Sequence, residues 1–153
     1  MRIIVEGLSL VSEIRKTFAL PGVDVRSYSP LALAYIGDDV YDVVVRTFVV
    51  EHANRSAHDL HKISSHFVKA QTQAAMIEAL EELLTEEEEA VYKRGRNAKA
   101  YTTAKNASVA DYRKATGLEA LMGYLYLSDR MDRVLELMKE GFTRLELTVR
   151  EGH

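Results

Sequence analysis

An all-α fold around one core is predicted by three observations. Both prolines of this 153-residue chain, Pro21 and Pro30, lie near its start, so the long remainder is free of the strongest helix breaker. Serine and threonine residues stand repeatedly at N-cap positions ahead of stretches with helical apolar spacing. Apolar residues make up 47% of the chain, enough to fill one core and too few residues in all for two.

In chain order, Met1 to Tyr28 breaks its apolar runs with Glu6, Glu13, Arg15, Lys16, Asp24 and Arg26, without the uninterrupted hydrophobic stretch of a secretory signal, and a helix packed on the domain is the expectation. Ser29-Pro30 is an N-cap followed by proline in the first turn, where its missing N–H costs nothing. A helix is expected from there to about Glu51. Leu31, Ile36, Val40, Val44 and Phe48 make it apolar on nearly all sides, as a central helix is. A strand over Val40–Val50 is the competing reading, because of its valines.

Ser56 to Leu84 carries Ile63, Phe67, Ala70, Ala74, Ile77 and Leu84 on one helical face, with a break expected near Ser64-Ser65. Thr85 and Glu88 form a capping box for a short helix, expected to leave through Gly95 into a loop over 96–107. Ser108 with Asp111 signals the next start. Helices are expected from about Val109 to Leu127, interrupted near Thr116-Gly117, and from about Asp129 to Leu147.

Composition narrows the function. Without cysteine there is neither a disulfide nor a thiolate metal site, which suits a reducing cytoplasm, and any metal must be held by oxygen or imidazole. No run approaches the roughly 18 to 20 apolar residues of a membrane span. The net charge of -3 argues against coating nucleic acid by bulk charge, but the charges are segregated. Seven glutamates and no base lie between Glu78 and Glu89, and five bases and no acid between Lys93 and Lys105. Such a basic stretch either neutralises phosphates or balances the acidic run as a solvated face.

Two segments carry chemistry. Leu33 to Asp39 sets Gly37 and two acids inside an apolar helix, although glycine costs about 1 kcal/mol there and a buried carboxylate costs more unless paired. Ala115 to Leu127 repeats the pattern with Glu119 and two glycines. The bland reading is a close helix approach at Gly37, with Asp38 paired to an arginine. The sharper one packs the two helices at their glycines and brings Asp38 and Glu119 together. Adjacent carboxylates share a proton or take a hard divalent cation such as Mg2+, which acidifies water and neutralises charge on a phosphodiester.

Tyr35-Ile36-Gly37-Asp38 and Gly117-Leu118-Glu119-Ala120-Leu121-Met122-Gly123 resemble the two halves of the ribonuclease III signature. With Lys93-Arg-Gly-Arg-Asn-Ala-Lys between them, the order is similar to the Mini-ribonuclease III branch, which lacks a double-stranded-RNA-binding domain. The resemblance covers about residues 29 to 140. It implies a homodimeric, ribonuclease III catalytic-domain-like helical bundle over 29–150, with 1–28 as an N-terminal extension. It further implies magnesium-dependent cleavage of double-stranded RNA that leaves 5′-phosphate ends and a short 3′ overhang, the usual substrate being precursor large-subunit ribosomal RNA. No nucleotide cofactor or membrane is expected.

By position, Asp38 and Glu119 match the magnesium ligands and Tyr35 the aromatic that plugs the partner subunit. Lys93, Arg94, Arg96, Asn97 and Lys99 are expected to hold duplex RNA through phosphates and 2′-hydroxyls, with His61 and Lys62 as further phosphate contacts. The bland reading of the basic group is salt bridging to the preceding glutamates. His52, His58, His61 and His66 have no zinc-motif spacing. Where fuller family sites carry further acids, one turn before Asp38 and before Glu119, this chain has Ala34 and Thr116. Asp39 points about 100° away from Asp38 and is read as exposed or structural, while Asp42, one turn on, is a candidate to support the metal site. The alternative function is a non-catalytic double-stranded-RNA-binding scaffold that has lost its acids.

Overall fold

The structure, a computed structural model, describes residues 9–98 and 108–149. These residues form seven α-helices and no strand: α1 (Leu10–Thr17), α2 (Pro30–His52), α3 (Ala57–Val68), α4 (Ala70–Leu80), α5 (Glu86–Asn97), α6 (Val109–Leu127) and α7 (Met131–Arg144). Short 3-10 turns cover Val25–Ser27 and Glu81–Leu83.

Helix α2 starts where its cap predicts, with the Ser29 hydroxyl accepting from the Ala32 N–H at 3.1 Å, a contact that contributes about 1 kcal/mol. The strand reading of Val40–Val50 fails. Val40, Val45 and Val49 are buried while Val43 and Val50 are exposed, a helical period and not an alternation. The Thr85–Glu88 capping box forms in full, each side chain satisfying the other's backbone N–H. Ser108 caps α6 through the Asp111 N–H.

Three boundaries differ from expectation. The break in the second helical stretch falls at Lys69, whose extended backbone (φ −66°, ψ 151°) separates α3 from α4. Ser65 turns its hydroxyl onto the Lys62 carbonyl and stays helical. Thr72 instead satisfies the His66 carbonyl at 2.6 Å across the break. Helix α5 runs through Gly95 to Asn97, and α6 passes Thr116-Gly117 without interruption. These glycines serve a contact: a Cβ on Gly95 would lie 2.9 Å from the Gly117 Cα. The left-handed exits fall at Ala19, Asp129 and Glu146, where φ is 50°, 59° and 54°. In each, the next N–H reaches back five residues, Leu20 to Arg15, Arg130 to Leu125 and Leu147 to Phe142, at 2.8–2.9 Å.

Helices α2 and α6 form the centre, surrounded by α3, α4, α5 and α7. Val45, Phe67, Ile77, Leu80, Leu118, Leu121 and Met138 are almost fully buried there, each such side chain contributing roughly 1.5–3 kcal/mol relative to exposure. Phe142 packs edge to face on both Phe48 and Phe67, with centroids 5.2 Å apart, and Phe48 and Phe67 meet at a tilt at 5.8 Å. Arg133 of α7 locks α5 in place by pairing both its Nε and Nη2 with the buried Glu88 carboxylate, at 2.8 and 2.9 Å. Helix α1 buries Val11 and is tied by the Arg15 guanidinium to the Leu127 carbonyl at 2.7 Å.

Candidate active site

The site is built by the crossing of α2 and α6. A Cβ on Gly37 would fall 1.6 Å from the Glu119 carbonyl oxygen, and one on Gly123 would fall 2.0 Å from that of Leu33. Backbone therefore touches backbone at this crossing, as the glycine pattern predicts. The crossing sets Asp38, exposed on α2, against Glu119, half-buried on α6.

The two acids lie beside each other, near enough for Asp38 to act on the titration of Glu119. Asp38 thus has an acid as its partner, and among the described residues it makes no ion pair with an arginine. Burial, then the hydrogen bond to Asp38 and the Asp38 charge, push the Glu119 carboxyl up to about 8. The Gln73 side chain of α4, 3% exposed, opposes this shift and favours the charged form of Glu119. Below them lies Tyr41, fully buried, whose hydroxyl donates to the Phe67 carbonyl at 2.7 Å. Burial, and after it the nearby Glu119, raise the Tyr41 pKa and keep its proton in place.

This donor set suits a hard cation. Two carboxyl groups forced to share a proton are held in a state that a divalent ion relieves, and oxygen ligands with remaining positions open to water are what magnesium takes. No group of three or more acids or histidines gathers as a metal site among the described residues, the α3 histidines included. Asp42 is half-buried and paired with Arg46 at 2.9 Å, and Asp39 is exposed. Ala34 and Thr116 are both buried, and the Thr116 hydroxyl donates to the Tyr112 carbonyl.

The remaining candidates are dispersed. Tyr35 projects from α2 one turn before Asp38 and is 80% exposed. Lys93, Arg94, Arg96 and Asn97 sit on the last turns of α5 rather than on a loop. Lys93 pairs with Glu89 at 2.7 Å, and Arg96 lies 5.6 Å from the centre of the Tyr92 ring with its Nε donating to Asn97. Arg94 is exposed, and Lys99 lies outside the described residues. His61 and Lys62 face different grooves. His61 lines the one with Val43, Arg46 and Thr47, and Lys62 the one with Asp59, His66 and Glu146.

Gln73 was not legible as a site residue. The available signal was an amide on the otherwise apolar face of α4, one turn from Ala70 and from Ile77.

Comparison with known proteins matches residues 31–130 to the ribonuclease III domain model. The chain is 47% identical over 117 residues to Mini-ribonuclease 3 of Enterococcus faecalis, covering 75% of this chain and 89% of that one. It is 42% identical over 121 residues to the Staphylococcus aureus Mini-ribonuclease 3, covering 78% and 90%. A crystal structure of a Fusobacterium nucleatum protein superposes with a TM-score of 0.69 at 28% identity, covering 76% of this chain and 93% of that one.

Proposed function

We propose, from the premise that this chain belongs to the ribonuclease III family and is an endoribonuclease acting on double-stranded RNA, that Asp38 and Glu119 hold a magnesium ion at the cutting site. The observation that carries this reading is the adjacent pair of acids that the close α2–α6 crossing brings together. Evolution has no structural use for a half-buried carboxyl pressed against another, since an apolar pair would pack there at no electrostatic cost. A non-catalytic scaffold leaves that cost unexplained.

When bound, the ion supplies positive charge against the scissile phosphate and acidifies water for attack on phosphorus. The protein's own part is to orient. Asp38 and Glu119 would hold the ion through their carboxylates, with Glu119 deprotonated, and the buried Tyr41, fixed on the Phe67 carbonyl, lies close to Glu119. Duplex RNA is held by Lys93, Arg94, Arg96 and Asn97 on the last turns of α5 and by Lys99, with His61 and Lys62 as outlying phosphate contacts. Lys93 gives up its surface pair with Glu89 for phosphate at small cost, such pairs contributing only about 0–1 kcal/mol.

In this reading residues 29–150 form the catalytic domain and 1–28 an N-terminal extension. The active form is a homodimer in which the exposed Tyr35 enters the partner subunit. Each protomer cuts one strand, leaving 5′-phosphate ends, and the substrate is cytoplasmic precursor large-subunit ribosomal RNA. Among the described residues no helix is long and apolar enough to cross a membrane. The test is incubation with a synthetic RNA duplex with and without magnesium: paired cuts only with the ion are expected, and salt-sensitive binding without cleavage would favour the scaffold.

A further inference from the structure

Helices α5 and α6 run antiparallel, and contacts at both ends of α5 fix their register. Near its start the Tyr124 hydroxyl donates to the Glu87 carboxylate. Near its end a Cβ on Gly95 would lie 2.9 Å from the Gly117 Cα and 2.7 Å from the Ala120 Cβ. Gly117, Ala120 and Tyr124 thus form the stripe of α6 that faces α5. Continued one turn towards the start of α6, the same stripe reaches Arg113. By this register Arg113 stands level with the chain just after Asn97, where α5 has ended. Among the described residues no helix covers it there, and it is exposed.

The charge at this place is unmatched. Arg15, Arg26, Arg46, Arg130, Arg133 and Arg144 each hold an acid or a backbone carbonyl, and Arg96 lies against the Tyr92 ring. Arg113 makes neither an ion pair nor a hydrogen bond among the described residues, and the exposed Arg94 is in the same state. Arg94 lies two turns after Glu87, on the edge of α5 that the Glu87–Tyr124 bond shows to border α6. The two guanidiniums therefore flank one seam, roughly one helical turn or about 6–8 Å apart along it. From Lys93 to Ala110 the sequence carries Lys99 and Lys105 and no acid. Asp111 is about 160° away from Arg113 round α6. A purely structural arginine here would close the last carbonyls of α5. Arg113 bonds none of them, and the final turn is closed by the Ala98 N–H on the Gly95 carbonyl.

We propose that Arg113 is an RNA-binding residue, its guanidinium gripping a backbone phosphate of the duplex beside the one held by Arg94. The inference rests on the reading of the last turns of α5 as the RNA clamp and carries that clamp across the seam onto α6. The arginine fork offers a phosphate two N–H donors at once. Arg94 and Arg113 reach it without first breaking an ion pair, which Lys93 and Lys114 must do. Helix α6 also carries Glu119, about 9 Å further along its axis. A phosphate held at Arg113 therefore fixes the duplex relative to the acid pair through a single rigid element.

The experiment is a fluorescence-anisotropy titration of a labelled synthetic RNA duplex, without divalent ions, over a series of KCl concentrations. It compares the wild-type protein with Arg113→Gln, Arg113→Lys and Arg94→Gln. Arg113→Gln is expected to flatten the slope of log affinity against log salt by about 0.9, the contribution of one phosphate contact. The effect should be the same on two duplexes of unrelated sequence, with the melting temperature unchanged, and Arg113→Lys should keep the wild-type slope. A wild-type slope in Arg113→Gln overturns the proposal. So does a flattening accompanied by a lowered melting temperature, which makes Arg113 a structural residue. If Arg94→Gln flattens the slope and Arg113→Gln does not, the clamp stands without its extension onto α6; if neither does, the clamp reading itself falls.

Discussion

The carbonyl oxygen of Glu119 occupies the space a side chain on Gly37 would need: a Cβ there would sit 1.6 Å from it. The residue preceding one acid is thus in contact with the backbone of the other, and the acid pair cannot form unless this position stays bare. Gly37→Ala forces α2 and α6 apart. The expected loss is at least the roughly 1–3 kcal/mol of an overpacked core, read by chemical denaturation. Cleavage should fall much further at a temperature where the variant is folded, because Asp38 and Glu119 no longer meet. A variant as active as the wild type would show that the close crossing does not set the site.

Asp38→Asn keeps the size of the side chain and removes its charge. Cleavage at saturating magnesium should drop by roughly three orders of magnitude, an effect of about 4 kcal/mol, while duplex RNA binding measured in a gel-shift assay is unchanged. Undiminished cutting would remove Asp38 from the ligand set.

The raised Glu119 group makes the site pH-sensitive with a definite sign. Its carboxyl moves from the ordinary 4.5 to about 8, chiefly by burial and then by Asp38. Between those values the folded state binds more protons than the unfolded, so stability contributed below pH 4.5 is lost as pH rises towards 8. The melting temperature in chelator should decline across that window. Metal binding must displace the shared proton, so Mn2+ affinity should rise by up to about tenfold per pH unit and level off above pH 8. A flat affinity profile from pH 6 to 8 would contradict the shared proton.

A stability effect without a catalytic one is expected at the other end of the bundle. Arg133 neutralises Glu88, whose carboxyl burial would raise but which the Arg133 bonds and the Thr85 N–H together hold below its usual range. Arg133→Met strands that buried charge, and breaking such a pair costs about 3–5 kcal/mol. Urea denaturation should show the loss. Mn2+ affinity at a temperature where the variant is folded should match the wild type, and a change in it would mean that α5 and α7 communicate with the acid pair.

What the sequence made legible was whatever depends on neighbours along the chain. Ser29-Pro30, Thr85–Glu88 and Ser108–Asp111 marked helix starts because capping is a matter of a few adjacent residues. Gly37 and Gly123 marked the crossing because glycine and acid inside an apolar helix are costly unless something approaches closely. What was hidden depends on other elements. Gly95 looked like a helix exit and proved to be a contact with α6, whereas Ala19, Asp129 and Glu146, none of them glycine, are the left-handed exits. The kink at Lys69 has no glycine or proline to announce it.

The central claim is that Asp38 and Glu119 together grip a divalent ion, and anomalous diffraction from a crystal soaked in Mn2+ tests it most directly. A single strong peak within about 2.0–2.3 Å of a carboxylate oxygen from each acid is the predicted result. An anomalous map with no peak between them, from crystals in which the soaked protein cleaves duplex RNA once dissolved, would contradict it.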